Sequence, residues 1–245
     1  ISTVPIGFKG VVDSGDMAQV IQQLLVVLSH LKHLLQTRGR EIVLALEPEP
    51  GCLLETTDEV CRFFSELDFP PDLRSHLGIC YDCCHQAVQF EEPADSLARL
   101  ANAGVRIGKV QVSSALSLVE PTKELLRHFD EPRYLHQVAV RRQDGGVVRY
   151  DDLPEALARH GLVTGEEWRC HFHVPIFTPG NGVYGTTRSF LEEILPRLPR
   201  DVLLEVETYT WDVLPSELRC GSVTASIIRE LQWLETQLHA SHRRP

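Results

Sequence analysis

Three carboxylates, Glu47, Asp82 and Glu205, each follow a short apolar run: Ile42 to Leu46, Leu77 to Tyr81, and Val202 to Leu204. Other polar residues crowd the same strand ends: Glu49, His85, Gln111 with Ser113 and Ser114, His171 and His173 around Phe172, and Glu207. Side chains alternate along a strand, so Glu47 shares a face with Glu49, His171 with His173, and Glu205 with Glu207. Several acids at one opening repel one another unless a cation neutralises them. The series is therefore read as a divalent-metal site with Glu47, Asp82 and Glu205 as ligands, its fourth position open among Gln111, His171 and His173. Carboxylates with an imidazole or amide suit Mn²⁺, Mg²⁺, Co²⁺ or Zn²⁺, and spacing does not choose among them. Glu47 is preferred to Glu49 because it ends its strand and precedes Pro48, which holds it extended. The competing reading satisfies the same residues by ion pairs.

Further residues fall around this set. His85, Glu49, His171 and Glu207 are placed as substrate contacts, and Trp211, beyond Glu207, offers an aromatic edge on which a sugar ring stacks. His136 joins them if its segment pairs with the His171 strand. Cys80 and Cys83 form a lone Cys-x-x-Cys with no second pair, which fits buried thiols better than a zinc knuckle.

The elements that must position these residues alternate between short strand-like runs and helical patterns, the signature of βαβ units and a parallel sheet. Strands are expected at Ser2–Ile6, Ile42–Glu47, Leu77–Asp82, Ile107–Ser113, Cys170–Ile176 and Val202–Glu207. A first helix is expected from about Asp16 to Arg38, with apolar residues at helical spacing and a stop at Gly39. Thr56 with Glu59 forms a capping box, Pro93 and Gly104 bracket another helix, Thr187 opens one over Phe190–Leu198, and Ser222 opens the last. From about Leu116 to Arg169 a long excursion breaks the rhythm. It contains a hairpin strand at Tyr134–Arg141 turning at Asp144-Gly145-Gly146, then a short helix between Pro154 and Gly161. At the C-terminal face of a barrel it would form a lid or substrate wall, and a decorative insertion is the plainer alternative.

The 245-residue chain is 43% hydrophobic and 24% charged, ordinary for a globular domain. No run is long and apolar enough to span a bilayer. A net charge of −10, with basic pairs only at Arg141-Arg142 and Arg243-Arg244, argues against a nucleic-acid partner. A small-molecule substrate fits better, and association of the chain into a homo-oligomer is left open. The seven cysteines are an odd number with no signal peptide before them, from which reduced thiols and a cytoplasmic setting are expected. The chain opens on Ile1, and its single Met lies within the first helix. The expectation drawn from this is a fragment lacking its N-terminal part.

The strings Leu46-Glu47-Pro48, Tyr81-Asp82-Cys83-Cys84-His85, Lys109-Val110-Gln111-Val112 and Leu204-Glu205 resemble the xylose-isomerase-like TIM barrels, a superfamily that includes ketose 3-epimerases and endonuclease IV. The resemblance implies a (β/α) barrel over residues 1–245, lacking its first two or three βα units, with residues 116–169 as an insertion. It also implies one divalent ion held by Glu, Asp, His and Glu on successive late strands, with a His three residues beyond the Asp touching substrate. Glu47, Asp82, Glu205 and His85 match that pattern, and Gln111 departs from it where His is expected. Longer strings, Ala45 to Cys52, Lys109 to Ala115, His171 to Pro175 and Glu205 to Pro215, look like the EboE family of metabolite traffic proteins, which implies the handling of a secondary metabolite.

The function expected from all this is a metal-dependent isomerase or epimerase of a sugar-like metabolite, with Glu47 and Glu205 moving a proton through an enediolate. The alternatives are a non-catalytic metabolite carrier on the same barrel, favoured by Gln111, and an endonuclease IV-like phosphoesterase, disfavoured by the charge.

Overall fold

The computed structural model describes residues 1–12, 15–219 and 221–241. Its strands are β1 (Ser2–Thr3), β2 (Leu44–Leu46), β3 (Leu77–Asp82), β4 (Ile107–Val112), β5 (Ser114–Val119), β6 (Val138–Arg141), β7 (Val147–Tyr150), β8 (Glu167–Val174), β9 (Gly185–Thr186) and β10 (Leu204–Val206). Its helices are α1 (Met17–Arg38), α2 (Thr57–Glu66), α3 (Pro71–Arg74), α4 (Cys83–Val88), α5 (Pro93–Asn102), α6 (Lys123–His128), α7 (Leu153–Arg159), α8 (Arg188–Ile194) and α9 (Val223–Ser241).

Two sheets divide these strands. The first is all-parallel in the order β1-β2-β3-β4-β10, giving an α/β architecture in which the described strands form an open sheet. All six residues of β3 are buried, as a central parallel strand covered on both faces requires. Leu24, Leu28 and Leu31 of α1 pack with Val60, Phe63 and Phe64 of α2 and Leu77 and Ile79 of β3 in one core. The expected helix ends are present. Gly39 takes φ 63° and closes α1 on the Leu35 carbonyl, and Thr56 and Glu59 cap α2 reciprocally.

The second sheet is antiparallel, in the order β7-β6-β8-β5-β9. Here the expectation for Cys170–Ile176 is corrected. That segment belongs to β8, which pairs with β5 and β6 and not with the parallel strands. An apolar-polar alternation is the same in either kind of sheet, so it does not tell the chain which partner to take. The expected hairpin is found as β6 and β7, with the turn between Arg141 and Val147. β5 was not anticipated. It continues β4 after a single residue, Ser113, at which the chain leaves one sheet for the other.

The sheets are joined by side chains as well as by Ser113. Cys84 and Val88 of α4 pack on Ala115 and Ala139, and the Phe90 ring lies beneath the guanidinium groups of both Arg141 and Arg169. Arg169 also donates to the Ala87 carbonyl at 2.6 Å. These contacts set the antiparallel sheet over the C-terminal ends of β2, β3 and β4.

Among the described residues no helix is long and apolar enough to cross a membrane. Cys52, Cys61, Cys80, Cys83, Cys84 and Cys170 are free thiols, while Cys220 and the Arg243-Arg244 pair lie outside the described residues.

Close packing around β3 makes a specific demand. A Cβ on Gly78 would meet the Arg106 carbonyl oxygen at 2.6 Å, and a backbone atom in a central strand has little room to yield. Gly78→Ala should lower stability by about 1–3 kcal/mol in urea denaturation. An unchanged midpoint would contradict this packing.

Candidate metal centre

Asp82 ends β3 and is also the N-cap of α4, with no solvent exposure. Its Oδ1 accepts the His85 backbone N–H and the Ser113 hydroxyl, both at 2.8 Å, and its Oδ2 accepts the Gln111 side-chain amide at 3.2 Å. The Asp-x-x-His spacing is thus the cap-to-third-residue spacing of a helix start. His85 is carried by that first helical turn.

Two further carboxyls approach Asp82. Glu47, whose backbone N–H is fixed by the Thr3 carbonyl at 2.9 Å, comes from just beyond β2, and Glu207 comes from just beyond β10. Oxygens of Glu47, Asp82 and Glu207 all lie within 4.8 Å of one another. Burial, then the charges of Asp82 and Glu207, push the Glu47 carboxyl up to about 8, against the pull of Gln111 and Lys109. Burial likewise raises Glu207 to about 7, with Asp82 adding to the shift and His173 opposing it. Glu207 Oε2 is buried with no hydrogen-bond partner among the described residues.

Imidazoles meet this group from above. His173, on β8, donates from Nδ1 to the Glu207 carbonyl at 3.1 Å, and its Nε2 is buried without a hydrogen-bond partner among the described residues. Nitrogens of His85 and His173 lie within 4.8 Å of an Asp82 oxygen and of each other. Tyr209 closes the side, its ring 4.7 Å from that of His173 and 4.9 Å from Tyr134. A lone-pair nitrogen and a carboxylate oxygen left unpartnered beside two more acids are the donors a divalent cation takes. Glu47, Asp82 and Glu207 are therefore the residues that fit it, with His173 adjoining them through Asp82.

Several expected roles change. Glu205, expected as a ligand, is corrected. Its side chain is 56% exposed and paired with Lys109 at 2.8 Å, because β10 is the outer strand and leaves it on the open side of the sheet. Glu207, expected as a substrate contact, enters the carboxylate group instead, since the chain turns over the mouth immediately after β10. Gln111 uses both ends of its amide, accepting the Cys80 thiol at 2.9 Å and donating to Asp82, so it holds the Asp82 carboxylate in place. Trp211 packs with the core of the antiparallel sheet and with Arg219, leaving Tyr209 as the aromatic ring beside the histidines. Glu49 stays beside Cys52, and His136 meets the His171 backbone carbonyl through Nδ1 at 3.3 Å while its Nε2 faces Glu131 at 3.0 Å. Ser113, placed at the strand ends without a role, is a donor to Asp82, and Cys84 was missed. Cys84 lies within reach of His171 and His173, and only the pairing of the two sheets reveals it.

No family model matches the chain, and no curated protein does, so the EboE resemblance stands on its sequence strings alone. Among solved structures the chain is similar to the probable 3-DHS dehydratase AsbF, involved in petrobactin synthesis, from Bacillus anthracis. The identity is 14% and the TM-score 0.40, over 100% of this chain and 76% of that one.

The raised carboxyls give a pH dependence with a definite sign. Glu47 and Glu207 hold protons in the folded state at pH values where the unfolded chain, near 4.5, has released them. Their contribution to stability is complete below about 4.5 and is lost as pH rises towards 7 to 8. A bound divalent cation removes that loss. The melting temperature of chelator-treated protein should therefore gain more from added Mn²⁺ or Zn²⁺ at pH 8 than at pH 5. Equal gains at both pH values would argue against ion binding by these carboxyls.

Proposed function

We propose that this chain acts as a divalent-metal-dependent isomerase or epimerase on a sugar-like hydroxy-carbonyl metabolite. The observation that carries the reading is the convergence of Glu47, Asp82 and Glu207 beneath the unpartnered Nε2 of His173. An ion in this group supplies electrophilic polarisation of a carbonyl and its neighbouring hydroxyl, which acidifies the intervening C–H. Glu47 and Glu207 reach the cleft from opposite sides of Asp82, one after β2 and one after β10. That placement suits removal of a proton by one carboxylate and its return by the other, with the substrate passing through an enediolate.

The remaining residues orient and enclose. Gln111 and Ser113 keep Asp82 facing the cleft, His85 and His171 offer contacts for a substrate hydroxyl, and Tyr209 with the antiparallel sheet shields the reacting carbon from water. The likeness of the longer strings to the EboE family supports a place in secondary-metabolite handling. Glu205, paired with Lys109, takes no part in this scheme.

Exchange of carbon-bound hydrogen into D₂O, followed by NMR over a panel of ketoses with Mn²⁺ present, tests the proposal without knowledge of the natural substrate. Glu47→Gln and Glu207→Gln should each slow exchange by on the order of 10²–10⁴. Glu205→Gln should leave it within about twofold, as an exposed ion pair contributes little. Undiminished exchange in both buried-carboxyl variants would sink the mechanism, and the same loss in Glu205→Gln would sink the assignment.

A further inference from the structure

Three imidazoles stand together, two of them, His85 and His173, beside Asp82, and their backbone and amide contacts leave the same nitrogen of each ring without a carbonyl partner. His85 Nδ1 faces the Pro48 carbonyl at 2.8 Å, His171 Nδ1 the Gln137 side-chain oxygen at 2.8 Å, and His173 Nδ1 the Glu207 carbonyl at 3.1 Å. A ring nitrogen facing a carbonyl oxygen carries the hydrogen, so in each neutral ring Nε2 is a lone pair. The Nε2 atoms of His85 and His171 lie 3.0 Å apart, hydrogen-bond distance with no hydrogen between them. The third, on His173, is buried with no hydrogen-bond partner among the described residues. All three side chains are at least nine-tenths buried, so solvent is not there to satisfy them.

Lone pairs held together in this way repel, and a cation shared between them removes the repulsion. At an ordinary metal–nitrogen distance of about 2.0–2.1 Å, nitrogens 3.0 Å apart subtend roughly a right angle at the ion, so a separation wider by a few tenths of an ångström would reach the tetrahedral angle. Cys84 lies within ligand reach of His171 and His173, adding a soft donor. The carboxylate group of Glu47, Asp82 and Glu207 is a separate set, and Asp82 belongs to both it and the set with His85 and His173. Each set has its own unpartnered buried atom: Glu207 Oε2 in the first, His173 Nε2 in the second.

We infer that the cleft takes two cations: one among the carboxylates and a second among His85, His171 and His173, with Asp82 shared between them and Cys84 at the second position. Imidazole with thiol selects a borderline ion, Zn²⁺ or Co²⁺, over Mg²⁺ or Ca²⁺, whereas the oxygen set accepts the harder ions. The inference extends the one-ion site proposed above, moving His85, His171 and His173 from contacts around that ion to ligands of a second, and the two can fail separately.

Stripped protein is titrated with Zn²⁺ and with Co²⁺, bound metal is counted by elemental analysis after dialysis, and the Co²⁺ form is followed by visible absorption. The expected result is two equivalents in the native chain and one in His171→Ala, with the imidazole-type Co²⁺ bands lost from the variant. If alanine unfolds the protein, His171→Asn keeps a polar partner for Gln137 and should show the same loss of one equivalent. One equivalent in the native chain and the variants alike overturns the second position and leaves the carboxylate site standing. Two equivalents in both also overturns it, since His171 would then hold no ion. No bound ion in the native chain overturns both readings.

Discussion

A carboxylate without solvent exposure is costly to keep unless donors face it, and Asp82 has three: the His85 backbone, the Ser113 hydroxyl and the Gln111 amide. Each donor ties Asp82 to a different piece of the molecule. His85 belongs to α4, Gln111 to β4, and Ser113 to the point at which the chain passes from one sheet to the other. The carboxylate is therefore the joint about which the neighbouring carboxyls and imidazoles are arranged. Glu47 and Glu207 then bring two more carboxyls to a place already holding a charge, and burial first, with Asp82 adding to it, raises both.

The cleft depends on two sheets contributing different donors. The parallel sheet carries carboxyl groups at its C-terminal ends. The antiparallel sheet brings the imidazoles of β8 down onto them. Its placement is enforced by Ser113, by the apolar contact of α4 with β5 and β6, and by the Phe90 ring beneath Arg141 and Arg169. The cation–π contacts matter as orientation more than as energy: two guanidinium groups on neighbouring strands meet one ring at the end of α4.

What was legible in the sequence follows from this division. The ends of β2 and β3 could be read because apolar runs stop abruptly at Glu47 and Asp82, and the helix caps could be read because capping chemistry is local. Which strands pair is not local. Cys170 to Ile176 alternates equally well for either sheet, and β5 hides in what looks like the tail of β4 because the switch at Ser113 leaves no break in the pattern. The choice between Glu205 and Glu207 was hidden for a related reason. Both face the same way along a strand, and only the position of β10 at the outer side of the sheet, followed by the turn after it, exposes one and leaves the other half-buried. Gln111 looked like a missing ligand because sequence shows what stands at a position but not that both ends of the amide are already engaged.

The turn after β10 raises a final question of precision, since Glu207 lies past the strand and gains no support from the sheet ladder. Support comes from α9. Glu230 is fully buried there, and its carboxyl accepts both the Thr208 hydroxyl, next to Glu207, and the Ile176 backbone N–H, two residues beyond β8. Thr210 donates in turn to the His173 carbonyl, and His173 to the Glu207 carbonyl. The loop bearing one acid and the strand bearing one imidazole are thus fastened to each other and to a single helical carboxylate. Ligand geometry depends on such outer partners nearly as much as on the ligands themselves. A buried acid on the last helix is accordingly what lets a residue outside any strand act with the fixed position of one inside it.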